Sequence, residues 1–260
     1  MGSTSEKYFS TRKTLFGLSA AKDSRKGYLA CCTLMIVAVL LVSAVTCADE
    51  VYGMTKTKHV VLLGASVGHA WKIDSLPERL GKNSGANRYS FEFVGDYEFD
   101  KTKTLRKILQ RKQNKPDAVI LKECAAYFPG NSTRYQELMR GWVRNCRDTG
   151  AVPVLATVAP VTRATSLKDI VKDLAKPFFG RAYAAARLKA LEEFNDWIKA
   201  YAEEEGLAVL DLEAALRTSE TDRRLREDLH SGDGLHLNPK GYALLDQFVS
   251  PALDRAFGKK

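Results

Sequence analysis

"VVLLGASVGHAW", residues 60–71, runs four apolar residues straight into Gly64, Ala65, Ser66, Val67 and Gly68. Consecutive apolar residues without alternation read as a strand buried on both faces. A serine held between two glycines directly after such a strand reads as a tight strand-to-helix turn that presents a hydroxyl. The rest of the chain repeats the pattern of strand followed by helix. Short apolar runs at 59–64, 90–94, 117–121, 152–158 and 207–212 alternate with helical periodicity at 76–80, 104–113, 133–149, 181–205 and 241–257. Strands separated by helices pair in parallel with both sheet faces covered. The expected architecture is an α/β fold, a three-layer α/β/α sandwich around a central five-stranded parallel sheet.

Upstream of that domain, residues 28–48, "YLACCTLMIVAVLLVSAVTCA", carry no charge over 21 positions. That is about the length a helix needs to cross the ~30 Å hydrocarbon core. Residues 1–27 hold six basic side chains against Glu6 and Asp23, which keeps them cytoplasmic and sends the remainder of the chain outside. Thr46 and Ala48 offer a small-residue cleavage site. The long basic segment and the long apolar run favour a retained signal-anchor over a cleaved signal peptide, which would leave the domain secreted. The expected organisation is thus a cytoplasmic segment (1–27), a membrane span (28–48), a linker (49–58) and one domain (59–260). Residues 161–180 read as a long loop or lid.

In an open parallel sheet, reactive groups gather at the carboxyl ends of strands, which is where Ser66 falls. Gly-x-Ser-x-Gly alone is also what a helix cap looks like, so Ser66 needs partners. They stand near the other end of the chain, in "SGDGLHLNPKGYALL", residues 231–245. A serine is a weak nucleophile until a base takes its proton, and the base works best when a carboxylate fixes its tautomer. Asp233 and His236, three apart in one Gly-containing loop, can supply both. Asn238 and Pro239 read as the cap and first position of the last helix.

With those residues in place, the chain resembles the SGNH, or GDSL-type, serine hydrolases, esterases and lipases on a flavodoxin-like fold. The resemblance covers about residues 59–257 and rests on "LLGASVG" and "DGLHLNPKGY". It implies that Ser66 is the nucleophile, His236 the general base and Asp233 its orienting carboxylate. The backbone N–H groups of Ser66 and Gly95 would form an oxyanion hole, and no metal or organic cofactor would be needed. Asn195 and Asp211 fall where family members often carry those residue types. An α/β-hydrolase elbow is disfavoured, because only one strand precedes Ser66 and acid and base share a loop. Two departures stand out. Gly64-Ala65-Ser66 replaces the usual Gly-Asp-Ser, and "VILKECAAYFPG", residues 119–130, lacks the asparagine that supplies a third oxyanion donor in the family. Glu123, near that vacancy, could donate when protonated, could bind a substrate hydroxyl or amine, or could be salt-bridged to Lys122 or Arg134.

Other polar residues have plainer readings. His230, Asp233 and His236 could form a metal site, but the serine chemistry already employs two of them. His69 reads as a structural contact on the first helical turn. "KTKTLRKILQRKQNK", residues 101–115, has seven basic residues around a buried face of Leu105, Ile108 and Leu109, with its charges directed outward to solvent or to anionic headgroups. Aromatics do not interleave with it, which argues against single-stranded nucleic acid, and the modest basic excess of the domain does not indicate nucleic acid of any kind. Cys124 and Cys146 would lie ~18 Å apart across a helix, too far for a disulfide.

The expected function is an extracytoplasmic, membrane-anchored serine esterase. It would deacylate an O-acyl ester on a cell-envelope glycan or lipid. Its rivals are an O-acyltransferase using the same site and a non-catalytic glycan-binding or assembly component.

Overall fold

The structure is a computed structural model that describes residues 57–81, 86–162 and 180–258, with side chains of the last stretch described from residue 186. The expected anchor at 28–48, the segment before it, the linker up to residue 56 and most of the expected lid lie outside the described residues. Among the described residues, no helix is long and apolar enough to cross a membrane.

The elements follow in chain order as β1 (Lys58–Gly64), α1 (Ser66–Trp71), α2 (Leu76–Leu80), β2 (Tyr89–Gly95), α3 (Thr102–Leu109) and β3 (Ala118–Leu121). The second half holds α4 (Ser132–Asp148), β4 (Val152–Ala156), α5 (Gly180–Glu205), β5 (Ala208–Leu210), α6 (Leu212–Leu216) and α7 (Pro239–Ala256). The five strands form one parallel sheet in the order β2-β1-β3-β4-β5. The chain therefore moves outward from β1 to β2, then returns past β1 to build the other half. That reversal creates a crevice at the carboxyl ends of β1 and β3, the place where open α/β sheets bind ligands. Ser66 follows directly from β1 into it.

The unalternating apolar run of β1 is explained by cover on both faces. Val60 and Leu62 pack with Trp71, Ile73 and Leu76 below α1 and α2, and with Leu245, Val249 and Leu253 of α7. Val61 and Leu63 face the opposite way, onto Leu105 of α3, Trp142 of α4 and Phe194 of α5. Helix starts follow from side-chain caps. Asn131 accepts the Arg134 N–H at 3.0 Å, Asp211 the Ala214 N–H at 3.0 Å, and Asn238 the Gly241 N–H at 3.0 Å. Pro239 occupies the first position of α7, where its missing N–H costs nothing.

Boundaries differ from the sequence reading where side chains capture the backbone. β4 ends at Ala156 and not at Val158, because the Asn195 amide takes Val158 N–H (2.7 Å) and donates to Val158 C=O (3.0 Å). β5 stops at Leu210 because Asp211 caps a helix, α6, that the sequence reading missed. The charges around α3 are not all outward: Lys101 is 1% exposed and turns into the protein. Cys124 and Cys146 are both buried and free, and burial pushes the Cys146 thiol up to about 12. The two ends of the domain meet at the amino edge of the sheet. There the Lys58 ammonium lies 5.5 Å from the Phe257 ring centroid, and that ring stacks on Tyr89.

Candidate active site

Ser66 is the first residue of α1, with Ala65 as the preceding cap residue. The turn is tight because the helix packs closely on its own sheet: a Cβ at Gly68 would stand 2.8 Å from Phe93 Cε2 of β2. The second glycine of the motif thus lets α1 approach β2, which fixes where Ser66 points. Gly95 ends β2 directly opposite Gly64 in the sheet register, and the next residue's N–H, that of Asp96, donates to Gly64 C=O at 2.9 Å. The expected oxyanion residues therefore flank one turn.

The partner loop is closed by a short antiparallel bridge between His230 and Leu237 and by Ser231 N–H donating to His236 C=O at 2.9 Å. Gly232 (φ 101°) and Gly234 (φ 71°) take the left-handed conformations that such a tight loop requires. Within it, Asp233 Oδ1 accepts from the backbone N–H of Leu235 (2.9 Å) and of His236 (2.8 Å) and from the Ser231 hydroxyl (3.2 Å). Its other oxygen, Oδ2, lies 2.5 Å from His236 Nδ1. Partial burial pushes the Asp233 carboxyl up, but the His236 backbone N–H, the His236 ring and the Leu235 N–H outweigh it and hold the group well below the usual carboxylate range. A carboxylate that stays ionised must accept, so Nδ1 carries the imidazole proton and Nε2 is left as the base. His236 Nε2 lies 2.9 Å from Ser66 Oγ. Serine, imidazole and carboxylate thus form one hydrogen-bonded line between residues 170 positions apart, the geometry that activates a hydroxyl.

A buried clamp that the sequence reading missed ties the two halves together. Asp246 on α7 accepts from Trp71 Nε1 of α1 at 2.7 Å and takes the Arg79 guanidinium in a two-pronged pair, both at 2.8 Å. The helix bearing Ser66 is thereby fastened to the helix that follows His236. An acidic residue beside Leu245 on the buried stripe of α7 was the available signal.

Glu123 directly follows Leu121 and Lys122 at the carboxyl edge of β3, 1% exposed. Its partner is Lys101, 2.7 Å from Oε2, which corrects the expected pairing with Lys122 or Arg134. Arg134 instead faces Asp100 and Glu137 across the surface, and Lys122 donates to the backbone C=O of Glu123 at 3.0 Å. Burial pushes the Glu123 carboxyl up to about 7 against the pull of Lys101, and pulls the Lys122 ammonium down to about 8. His230 Nδ1 is occupied by the Gly232 N–H at 2.9 Å. His69 stands exposed with its ring 5.7 Å from that of Phe93. Asn195 and Asp211 serve at the ends of β4 and β5 as backbone clamp and helix cap, Asp211 also accepting the Thr157 hydroxyl at 3.0 Å.

Comparison with known proteins identifies the family and the fold. The GDSL-like lipase/acylhydrolase family model matches residues 63–244, a span that holds Ser66, Asp233 and His236. No curated protein matches the sequence significantly. Among solved structures, a GDSL-like lipase from Bacteroides thetaiotaomicron superposes with a TM-score of 0.56 at 16% identity, over 77% of this chain and 90% of that one. A G-D-S-L family protein from Desulfitobacterium hafniense gives 0.55 at 18% identity, over 75% and 99%. An acetyl xylan esterase gives 0.51 at 14% identity, over 75% and 97%. At such identities these likenesses speak to the fold.

Proposed function

Since the chain belongs to the GDSL-like lipase/acylhydrolase family and is on that ground an ester-hydrolysing enzyme, we propose that Ser66, His236 and Asp233 are its catalytic triad and that it removes an O-acyl group from a glycan or lipid. The observation that carries the reading is the 2.9 Å contact between Ser66 Oγ and His236 Nε2, with His236 Nδ1 held by Asp233. Ser66 Oγ attacks the acyl carbonyl as His236 takes its proton, and Asp233 stabilises the imidazolium. The developing oxyanion lies against the N–H groups of Ser66, at the start of α1, and of Gly95. His236 returns the proton to the leaving alcohol, and water activated by His236 then frees the acid from the acyl-enzyme.

Of the two substrate classes, Tyr97 favours a glycan. Its ring is 59% exposed, and its Cε2 would lie 3.5 Å from a Cβ at Gly95, which offers a flat apolar face to a sugar ring beside the oxyanion position. We place the enzyme outside the cytoplasmic membrane, tethered through residues 28–48, on the strength of that uncharged run and the basic residues before it.

The test is Ser66→Ala. It is expected to abolish p-nitrophenyl acetate turnover and fluorophosphonate labelling while preserving the circular dichroism spectrum. A variant as active as the parent overturns the nucleophile assignment. Release of acetate from acetylated oligosaccharides, compared with cleavage of long-chain p-nitrophenyl esters, separates the glycan from the lipid reading.

A further inference from the structure

We infer that the buried Lys101–Glu123 pair is a positioning element for ester hydrolysis, which locks together the two loops that flank the oxyanion side of Ser66 at the block where the sequence lacks an asparagine. The inference rests on the Ser66 reading above.

Both side chains are 1% exposed, and one ammonium gathers oxygen acceptors from two loops. Lys101 Nζ donates to Glu98 C=O at 2.6 Å and to Phe99 C=O at 3.5 Å, both in the loop that leaves Gly95. It also donates to Glu123 Oε2 at 2.7 Å, just past the end of β3. The cation is boxed by Tyr127, Phe99 and Trp142, at 4.9, 5.6 and 6.0 Å from their ring centroids. The loop after β2 is braced from its other side, because Asp96 accepts the Glu98 N–H at 3.0 Å and the Thr104 hydroxyl at 2.5 Å.

The path continues to the nucleophile. Lys122, 2% exposed, holds the Glu123 C=O, and its stem would lie 3.6 Å from a Cβ at Gly64, two residues before Ser66. Gly64 and Gly95 are thus linked behind the site through Lys122, Glu123, Lys101 and the 98–99 carbonyls. Glu123 Oε1 is buried and has no hydrogen-bond partner among the described residues. Buried ion pairs add little net stability over apolar side chains of similar size, and a half-satisfied carboxylate adds less. What distinguishes this pair is its location between the loops. Two flexible connections become one rigid wall, so the Gly95 N–H need not reorganise when charge develops on the substrate oxygen.

The double variant Lys101→Met/Glu123→Leu removes both charges at similar volume and strands neither in the interior. It is expected to lower kcat on p-nitrophenyl acetate about 10²-fold with KM within about threefold of the parent, and to slow fluorophosphonate labelling in parallel. Lys101→Arg, which keeps charge and donors, is expected to recover most of kcat. A folded double variant with parental kcat overturns the inference. If the double variant does not fold, Glu123→Gln is measured instead: a tenfold fall in kcat at constant KM supports the inference, and parental kcat overturns it. An inactive, unlabelled parent enzyme would count against the serine reading itself, whereas an active parent beside an unimpaired variant counts only against the positioning role.

Discussion

Replacing Asp233 by asparagine tests the proposed triad at its most specific point. The substitution replaces one carboxylate oxygen by an NH₂ group and leaves the loop's framework in place. Asp233 Oδ1 accepts the N–H groups of Leu235 and His236 and the Ser231 hydroxyl, and an amide oxygen can keep all three. That requirement orients the amide, because flipping it would point an NH₂ at two backbone donors and lose hydrogen bonds worth about 1 kcal/mol each. The NH₂ of the introduced amide must then face His236 Nδ1, where the carboxylate stood 2.5 Å away. Nδ1 becomes an acceptor and the imidazole proton moves to Nε2, which now donates to Ser66 Oγ and can no longer take its proton. Reversal of the tautomer in a Ser-His-Asp site costs roughly 10⁴ in kcat, about 5 to 6 kcal/mol at 1.36 kcal/mol per decade. Steady-state hydrolysis of p-nitrophenyl acetate at pH 7 measures it, with urea denaturation showing that the variant is folded at that pH though less stable than the parent, because the folded state favours the ionised Asp233 carboxylate. An Asp233→Asn variant that keeps a tenth or more of parental kcat would refute the role assigned to Asp233.

Two further substitutions probe the scaffold. Lys122→Met should stabilise the protein near neutrality: a folded pKa of about 8 against 10.5 for the free side chain makes burial of the charge cost about 3 kcal/mol, offset by about 1 kcal/mol for the lost hydrogen bond to Glu123. Below pH 8 the lysine is protonated in both states, so the difference is constant. Between about pH 8 and 10.5 the folded state gives up the proton while the unfolded state keeps it. The parent then gains stability with rising pH and the variant's advantage shrinks, as urea titrations across that range would record. A pH-independent difference would contradict the assignment. Gly241→Ala sets a methyl 2.9 Å from Leu229 C=O and 3.0 Å from Leu237 Cβ. Because the first of these is backbone, the loop bearing His236 must shift. Thermal denaturation should show a loss of about 1–3 kcal/mol, and kcat should fall about tenfold; parental values for both would show the approach to be slack.

The parts of the molecule readable in the sequence are those whose signal is local. β1 with its serine turn, and the Asp-x-x-His loop with its cap, each occupy a dozen or so consecutive residues, and their spacing dictates their geometry. The α/β alternation follows from apolar runs that both sheet faces bury. What stayed hidden depends on partners distant in the chain. Lys101 belongs to a basic run in which Lys103, Arg106, Lys107, Lys112 and Lys115 do face solvent. The aromatic box, Glu123 and the carbonyls of Glu98 and Phe99 draw it inside. The end of β4 is decided by Asn195, 37 residues on, and α6 is a single turn with little periodicity to detect. Gly68 reads in the sequence as clearance around the serine, but the nearest atom it makes room for is in Phe93.

The contact of Lys58 with Phe257 makes the domain nearly a closed ring. A peptide of a few residues, at up to ~3.5 Å each, would bridge the two ends. The exposed turn at 112–115, where Asn114 already sits at φ 52°, offers a place to open the ring instead. In such a circular permutant the histidine would precede the serine along the polypeptide. Ser66, Asp233 and His236 all lie away from both junctions, so their hydrogen bonds need neither the old connection nor the new one, and the order of synthesis is separable from the order of proton transfer.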